Sequence, residues 1–296
     1  MANAKEIKER MKSIRDTMKI TNAMYMISSS KLKKSKKNLE DTEPYFYTLQ
    51  STMARILRHI PEMEDNIYFQ SAENKQEKKI GYIVVTADKG LAGAYNHNVV
   101  KLAEKELSGQ KNSKLFILGE QGRHYFEQHG MNMDKQFHYT VQNPTLDRAR
   151  QISLEILDLY QKRELDEVYI IYTAQINAMQ TEAEKKQLLP FKKADFKIEN
   201  LADVPVENLV LYPSPTEVMS RIIPNYFVGF IYGALVEAYC SEQNARMTAM
   251  EAATKNAGDM LRELDILYKR VRQAAITQEI TEVTGGARAQ KKKRSR

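Results

Sequence analysis

Apolar positions along the first sixty residues fall at helical spacing. Ile7, Met11, Ile14 and Met18 are separated 4-3-4, the stripe drifts to Ile20, Met24 and Ile27, and it resumes at Leu32 and Leu39. Asn3 followed by Glu6 matches a capping box, in which each side chain satisfies an orphan amide of the other. No Gly or Pro interrupts before Pro44, and Pro61 closes the region. The pattern predicts a long, narrow-striped helix that needs a partner helix. Thr21 and Ser28 to Ser30 are weak helix formers, so packing must hold that stretch.

From residue 62 to 79 the chain turns polar, which reads as a linker. The period then changes. Short apolar runs at 80–86, 115–118 and 168–172 fit strands buried on both faces, with helical stretches at 98–107, 120–128 and 146–162 between them. Alternating strands and helices predict a parallel, Rossmann-like sheet with right-handed crossovers. Weaker strand candidates lie at 137–141, 188–191 and 209–212.

A third pattern opens at Ser214-Pro215-Thr216-Glu217, with a capping Ser, Pro at the first helical position and Glu at the third. A helical period runs to about Val283, with a kink expected at Pro224. The ladder Met250, Ala253, Ala257, Met260, Leu264, Leu267, Val271, Ala274 keeps 3-4 spacing without a polar member. Gly285-Gly286 is expected to end the helix. Two long helices thus flank an α/β domain, and neither buries its stripe alone. The economical solution pairs them antiparallel with the α/β domain inserted; pairing with a second copy is the alternative. The boundaries read as 1–61 first coiled-coil helix, 62–79 linker, 80–212 α/β domain, 213–287 second coiled-coil helix and 288–296 basic, disordered tail.

Charge sharpens this picture. The chain of 296 residues carries a net +7. Residues 1–40 hold eleven Lys/Arg against four acids, a net +7, and 288–296 hold six basic residues and no acid, a net +6; the middle is therefore −6. Basic ends attract something acidic: nucleic acid, an anionic membrane surface or an acidic protein. A single cysteine, Cys240, excludes an intrachain disulfide and a Cys-based cluster, and on its apolar helix reads as a packed thiol. No run reaches the roughly 18 apolar residues of a membrane span, and the N-terminus lacks a secretory segment, so a soluble intracellular protein is expected.

Candidate chemistry is sparse. His59, His97, His124, His129 and His138 show no metal-ligand spacing. The best local motif is TADKGLAG over 86–93, directly after the first strand. A Gly-containing turn entering a helix cradles phosphate in some proteins, but GxGxxG and GK[ST] are absent, and a tight turn with Asp88 capping it is the plainer reading. The Lys-rich first helix has neither stacking aromatics nor base-reading side chains beside it, so nucleic acid is not the expected partner.

The two ends carry more specific information. IKERMKSIRDTMKITNAMYMISSSKLKKSKKNL over 7–39 resembles the N-terminal helix of the gamma subunit of rotary ATP synthases. SEQNARMTAMEAATKNAGDMLRELDILYKRVRQAAITQEITEVTGGA over 241–287 matches that family's most recognisable stretch, and the 86–93 turn is similar to its T-S-D-R-G-L-x-G, with Ala87 for Ser and Lys89 for Arg. The resemblance covers the whole chain in order and length. It implies a non-catalytic central-stalk rotor, without cofactor or metal, whose paired terminal helices turn inside a hexamer of alpha and beta subunits. The α/β domain would lie near the epsilon subunit and the membrane c-ring, at the cytoplasmic face of a bacterial cell membrane, coupling proton flow to ATP synthesis or hydrolysis.

It also implies site roles. Met24, Glu242, Arg246, Arg272, Gln273 and Thr277 fall on rotor–stator contact positions, and Lys31, Lys33 and Lys34 form a basic face toward acidic levers of the catalytic subunits. Asp88, Gly90 and Gly93 serve the turn. From the residues alone, Glu242 and Arg246 read as an i,i+4 surface pair. One cysteine rules out the dithiol switch of chloroplast relatives, and the lack of an N-terminal extension favours a bacterial chain. Two other readings stay open: a nucleotide-binding α/β protein with helical arms, and a basic coiled-coil nucleic-acid binder.

Overall fold

A computed structural model describes residues 4–59, 66–69, 78–110, 112–176, 180–192, 196 and 211–294. The expected cap at Asn3, most of the 62–79 linker and the start of the 209–212 candidate strand lie outside them. Among the described residues nine elements follow in order: α1 (Ala4–His59), β1 (Ile80–Val85), α2 (Tyr95–Leu107), β2 (Ser113–Leu118), α3 (Glu120–Gln128), α4 (Leu146–Gln161), β3 (Glu167–Gln175), β4 (Thr181–Leu189) and α5 (Pro215–Arg294). The chain divides into two units: Met1–Ile27 with Met247–Arg296, and Ser28–Arg246. The terminal helices α1 and α5 contribute to both.

The second unit is built on one sheet of order β2-β1-β3-β4. β1 pairs parallel with β2 and with β3, and β4 pairs antiparallel with β3. The apolar runs are strands because both faces are covered. On β1, Ile80, Tyr82 and Val84 meet Val99, Val100 and Ala103 of α2 and Phe126 of α3. Ile83 and Val85 face the other way, into the larger core with Ile152 and Ile156 of α4 and Phe227, Ile231 and Leu235 of α5. Each fully buried side chain of this kind stabilises by ~1.5–3 kcal/mol.

The weaker strand candidates fare differently. β4 takes in Leu188 and Leu189 but runs back to Thr181 through Glu182, Glu184, Lys185 and Lys186. This is a charged edge strand, where side chains meet water and apolar alternation is not required. Residues 137–141 form no strand; Tyr139 makes one isolated bridge to Leu118. Within the expected linker, residues 66–69 are not solvated. Asn66 and Tyr68 are buried, Tyr68 stacks on Tyr160 at 6.2 Å, and its carbonyl accepts from the Phe191 amide at 2.8 Å. Ile67, Tyr68 and Phe69 anchor a turn inside a polar stretch.

Helix α5 has no exposed residue from Tyr226 to Arg246, so its apolar window is a core helix: the 18-residue window of mean hydropathy 1.2 is 61% buried within the chain. α1 lies against it, antiparallel. Gly229 lets the two helices approach, because a Cβ there would meet Phe46 Cδ1 at 2.0 Å. Gly229→Ala should therefore cost ~1–3 kcal/mol of overpacking, partly offset by the ~1 kcal/mol helix preference of Ala over Gly. The expected net is a lower melting temperature, restored when Phe46→Leu is added.

The seam of α1 differs from the expected stripe. It does not drift to Ile20 and Ile27, which are 61% and 55% exposed; the buried positions there are Thr21 and Ser28, followed by Ser35. Together with Ile7, Met11, Ile14, Met18, the half-buried Tyr25, Leu32 and Leu39 these keep an unbroken 4-3 heptad spacing. Small polar residues occupy seam positions that an apolar-only reading skips. In the first unit Thr21 Oγ1 meets Thr254 Oγ1 at 2.7 Å and also donates to the Met18 carbonyl. On α5 the inward positions are accordingly Met250, Thr254, Ala257, Leu261, Leu264, Tyr268 and Val271, whereas Met260 and Leu267 of the expected ladder are 44% and 39% exposed. Neither Pro44 nor Pro224 ends its helix, and α5 continues through Gly285-Gly286 and into the basic tail as far as Arg294.

Candidate functional site

The polar centre of the second unit is the segment from Thr86 to Ala94, between β1 and α2. Its geometry starts from two glycines elsewhere. Thr86 Oγ1 donates to the Leu118 carbonyl at 2.9 Å and accepts the Gly122 amide at 2.9 Å. This close seating requires that Gly119 and Gly122 have no side chain. At Gly119, with φ +91°, a Cβ would lie 2.3 Å from the Thr86 carbonyl oxygen. Asn96 closes the loop from α2, its Oδ1 accepting the Ala87 amide at 2.8 Å.

Asp88 is the fastener on one side. Its carboxylate accepts from the Glu120 amide at 3.3 Å, the Val141 amide at 3.1 Å, the Gln142 amide at 3.2 Å and the Thr140 hydroxyl. It thereby caps the first turn of α3 and pins the 137–142 segment. Asp88→Asn exchanges a charge-assisted acceptor for a neutral one at four donors. Loss of about 2–3 kcal/mol is expected, read as a drop in the urea midpoint with faster amide exchange at Glu120, Val141 and Gln142.

Arg246 fastens the other side. Its guanidinium meets Glu242 Oε1 at 2.6 Å, donates from Nη2 to the carbonyls of Lys89 (3.2 Å) and Gly90 (3.1 Å), and donates from Nε to Gly90 at 3.4 Å. Both side chains are buried, Glu242 at 3% and Arg246 at 7% exposure. The two are thus an internal pair gripping the loop, and the i,i+4 surface pair read from the residues alone is corrected. Burial raises the Glu242 pKa above the ordinary carboxylate range; Arg246 and Lys31 pull it back, and Asp88 pushes it up. Tyr95, beside the pair, has its phenol pushed up by the same burial. Between the fasteners Leu91 holds φ 62° and is 65% exposed, and Gly93 holds φ 55°.

The sequence puts Asp88 and Gly90 in one turn and Glu242 with Arg246 in one helical pair; the structure brings the two sets together. Lys31 lies near enough to act on Glu242, while Lys33 and Lys34 are exposed on α1. Met24 is half-buried in the first unit, and Arg272, Gln273 and Thr277 are exposed on α5 there. Gly119, Gly122 and Asn96 carry no such signal in the sequence, and Thr86 has one only as part of its motif. The TADKGLAG run was the available signal for Thr86, but nothing nearby in sequence marks its partners 33 and 36 residues on. Cys240 is buried, and desolvation lifts its thiol to about 11, the profile of a packed, unreactive side chain. His129 stacks on Tyr125 at 4.1 Å and His124 meets Gln128 at 2.9 Å.

In the first unit the pairing register has a consequence. Thr21 stands level with Thr254, so Ala4, seventeen residues earlier, stands level with about Val271, seventeen residues later. From Arg272 to Arg288 every α5 residue is exposed, and Ile276, Ile280 and Val283 line one face at 45%, 58% and 72% exposure.

Comparison with known proteins gives a consistent set. A family model described as ATP synthase matches residues 3–290. The ATP synthase gamma chain of Ruminiclostridium cellulolyticum is 49% identical over 290 residues, 97% of this chain and 98% of that one. The gamma chain of Acetobacterium woodii, named as sodium ion specific, is 36% identical over 301 residues, covering 97% and 98%. Among solved structures, a chain of the Euglena gracilis mitochondrial ATP synthase (OSCP/F1/c-ring) superposes with TM-score 0.66 at 15% identity, covering 97% of this chain and 94% of that one.

Proposed function

Because the chain belongs to the ATP synthase gamma-chain family, we propose that it is the non-catalytic central-stalk rotor of a membrane-associated ATP synthase. In this reading its paired terminal helices turn inside a hexamer of alpha and beta subunits, and its α/β domain meets the epsilon subunit and the c-ring. The complex lies at the cytoplasmic face of a bacterial cell membrane. Rotation couples ion flow to ATP synthesis or hydrolysis by forcing each catalytic subunit through different conformations, because an asymmetric shaft contacts each one differently.

The observation that carries this is the stretch of α5 beyond Val271. It lies past the level of Ala4, the first described residue of α1, spans 23 residues from Arg272 to Arg294, about 34 Å at 1.5 Å per residue, and exposes Ile276, Ile280 and Val283. Most helical stability in proteins comes from packing of an apolar face, and a sleeve of other chains would supply that packing here. Arg272, Gln273 and Thr277 stand on the same stretch, where contact with a surrounding ring is available to them. Lys33 and Lys34 are free to face acidic levers. The nucleotide-binding alternative draws little support from the 86–94 loop: two of its carbonyls turn to Arg246, and its Asp88 carboxylate takes the neighbouring amides.

The test is rotation. A bead is attached to an introduced cysteine on this chain, with the alpha–beta hexamer immobilised and supplied with ATP. Stepwise unidirectional turning is expected, and a stationary bead above a ring that hydrolyses ATP would overturn the reading. Vesicles carrying the whole complex then identify the ion: acidification of the lumen on ATP addition marks protons, and a sodium requirement without acidification marks sodium.

A further inference from the structure

The Glu242–Arg246 pair is an uneconomical way to stabilise a helix. Removing two charges from water costs several kcal/mol per ion before their attraction offsets it, and the raised pKa of Glu242 shows that burial outweighs the help it receives from Arg246 and Lys31. What the pair does achieve is local. Three guanidinium hydrogen bonds go to two adjacent carbonyls of one loop, Lys89 and Gly90, and Glu242 fixes the guanidinium that makes them. The next residue, Leu91, is a non-glycine in the left-handed region with its side chain mostly in solvent. Neither sterics nor burial favours that arrangement, so the surrounding bonds must impose it. Asp88 supplies the constraint on the opposite side of the loop.

We propose that Arg246, oriented by Glu242, is a positioning residue: it latches the 88–91 segment onto α5 and so presents Lys89 and Leu91 as a rigid outward surface during coupling. The functional half of this rests on the central-stalk reading, while the structural half stands independently. Arg246 acts here through its own chain's loop and makes its contribution without touching a stator subunit.

The test uses the full complex with Arg246→Met, Arg246→Lys and Glu242→Gln, and with the exposed-pair variant Arg221→Met as control. Hydrogen exchange is followed at Ala87 and Tyr95, whose amides are bonded at the two ends of the loop, and at the β1 amides as reference. Arg246→Met should speed exchange at Ala87 and Tyr95 at least ten-fold with β1 unchanged; Arg246→Lys should fall between it and the parent, because an ammonium keeps a charged donor yet cannot reproduce the fork onto two carbonyls. Ions pumped per ATP should fall at least two-fold while ATP hydrolysis stays within two-fold. Unchanged exchange, or exchange raised equally across β1, overturns the latch. A loosened loop with full coupling overturns its functional half. A wild-type complex that fails to pump refutes the central-stalk reading instead, and the exchange result still decides the latch.

Discussion

Gly119→Ala is expected to lower the stability of the chain by about 3–5 kcal/mol. Two separate penalties combine. At φ +91° a side chain adds strain of roughly 1–2 kcal/mol. The new Cβ would also sit 2.3 Å from the carbonyl oxygen and 2.7 Å from the carbonyl carbon of Thr86. Both atoms are backbone at the end of β1, in the middle of the sheet, so no rotamer change relieves the overlap. Relief requires moving β1 against β2, which would stretch the Thr86 amide bond to the Leu118 carbonyl, 2.9 Å in the intact chain. Gly93→Ala is the comparison. Gly93 also has a positive φ, of 55°, but a Cβ there meets nothing within 4 Å, so only the strain applies. Urea unfolding of both variants separates the causes. Equal losses would show that backbone conformation accounts for everything and that the close approach to Thr86 is unimportant.

That contact illustrates which parts of the molecule were legible in its sequence. The buried strands were, because Ile80 to Val85 and Val168 to Tyr172 are covered on both faces and must be apolar throughout. β4 was not, since an edge strand with Glu182, Lys185 and Lys186 exposed carries no such pattern. The pairing of α1 with α5 followed from two stripes that neither helix buries alone. Its register did not, because Thr21, Ser28 and Ser35 take seam positions that an apolar ladder passes over, and only the Thr254 hydroxyl shows why Thr21 is tolerated there. Gly285-Gly286 looked like a stop signal, yet a glycine pair weakens a helix without forbidding it, at about 1 kcal/mol each. The candidate site followed the same division. Asp88 at a strand end reads as a cap from local sequence. The union of Glu242 and Arg246 with a loop more than 150 residues earlier depends on the tertiary fold alone.

Glu242→Ala is the second large effect, expected at about 3–5 kcal/mol. It leaves Arg246 charged and 7% exposed, with the two loop carbonyls as its remaining partners. Uncompensated burial of a guanidinium is the dominant penalty, since its pKa is too high for deprotonation to relieve it. The cavity left by the lost carboxylate adds less. The argument has a sharp corollary in the double variant Glu242→Met, Arg246→Met. Both charges then leave together, the long apolar side chains fill a comparable volume among Tyr95 and Tyr239, and the desolvation cost vanishes with the attraction. Stability should return to within about 1–2 kcal/mol of the parent, so the two substitutions are strongly non-additive. Loop exchange at Ala87 and Tyr95 should nonetheless remain fast in the double variant, because no donor reaches Lys89 and Gly90. Global stability restored together with a still-mobile loop would assign the pair to positioning. A double variant as unstable as Glu242→Ala would instead mean that the pair is a net stabiliser of the fold.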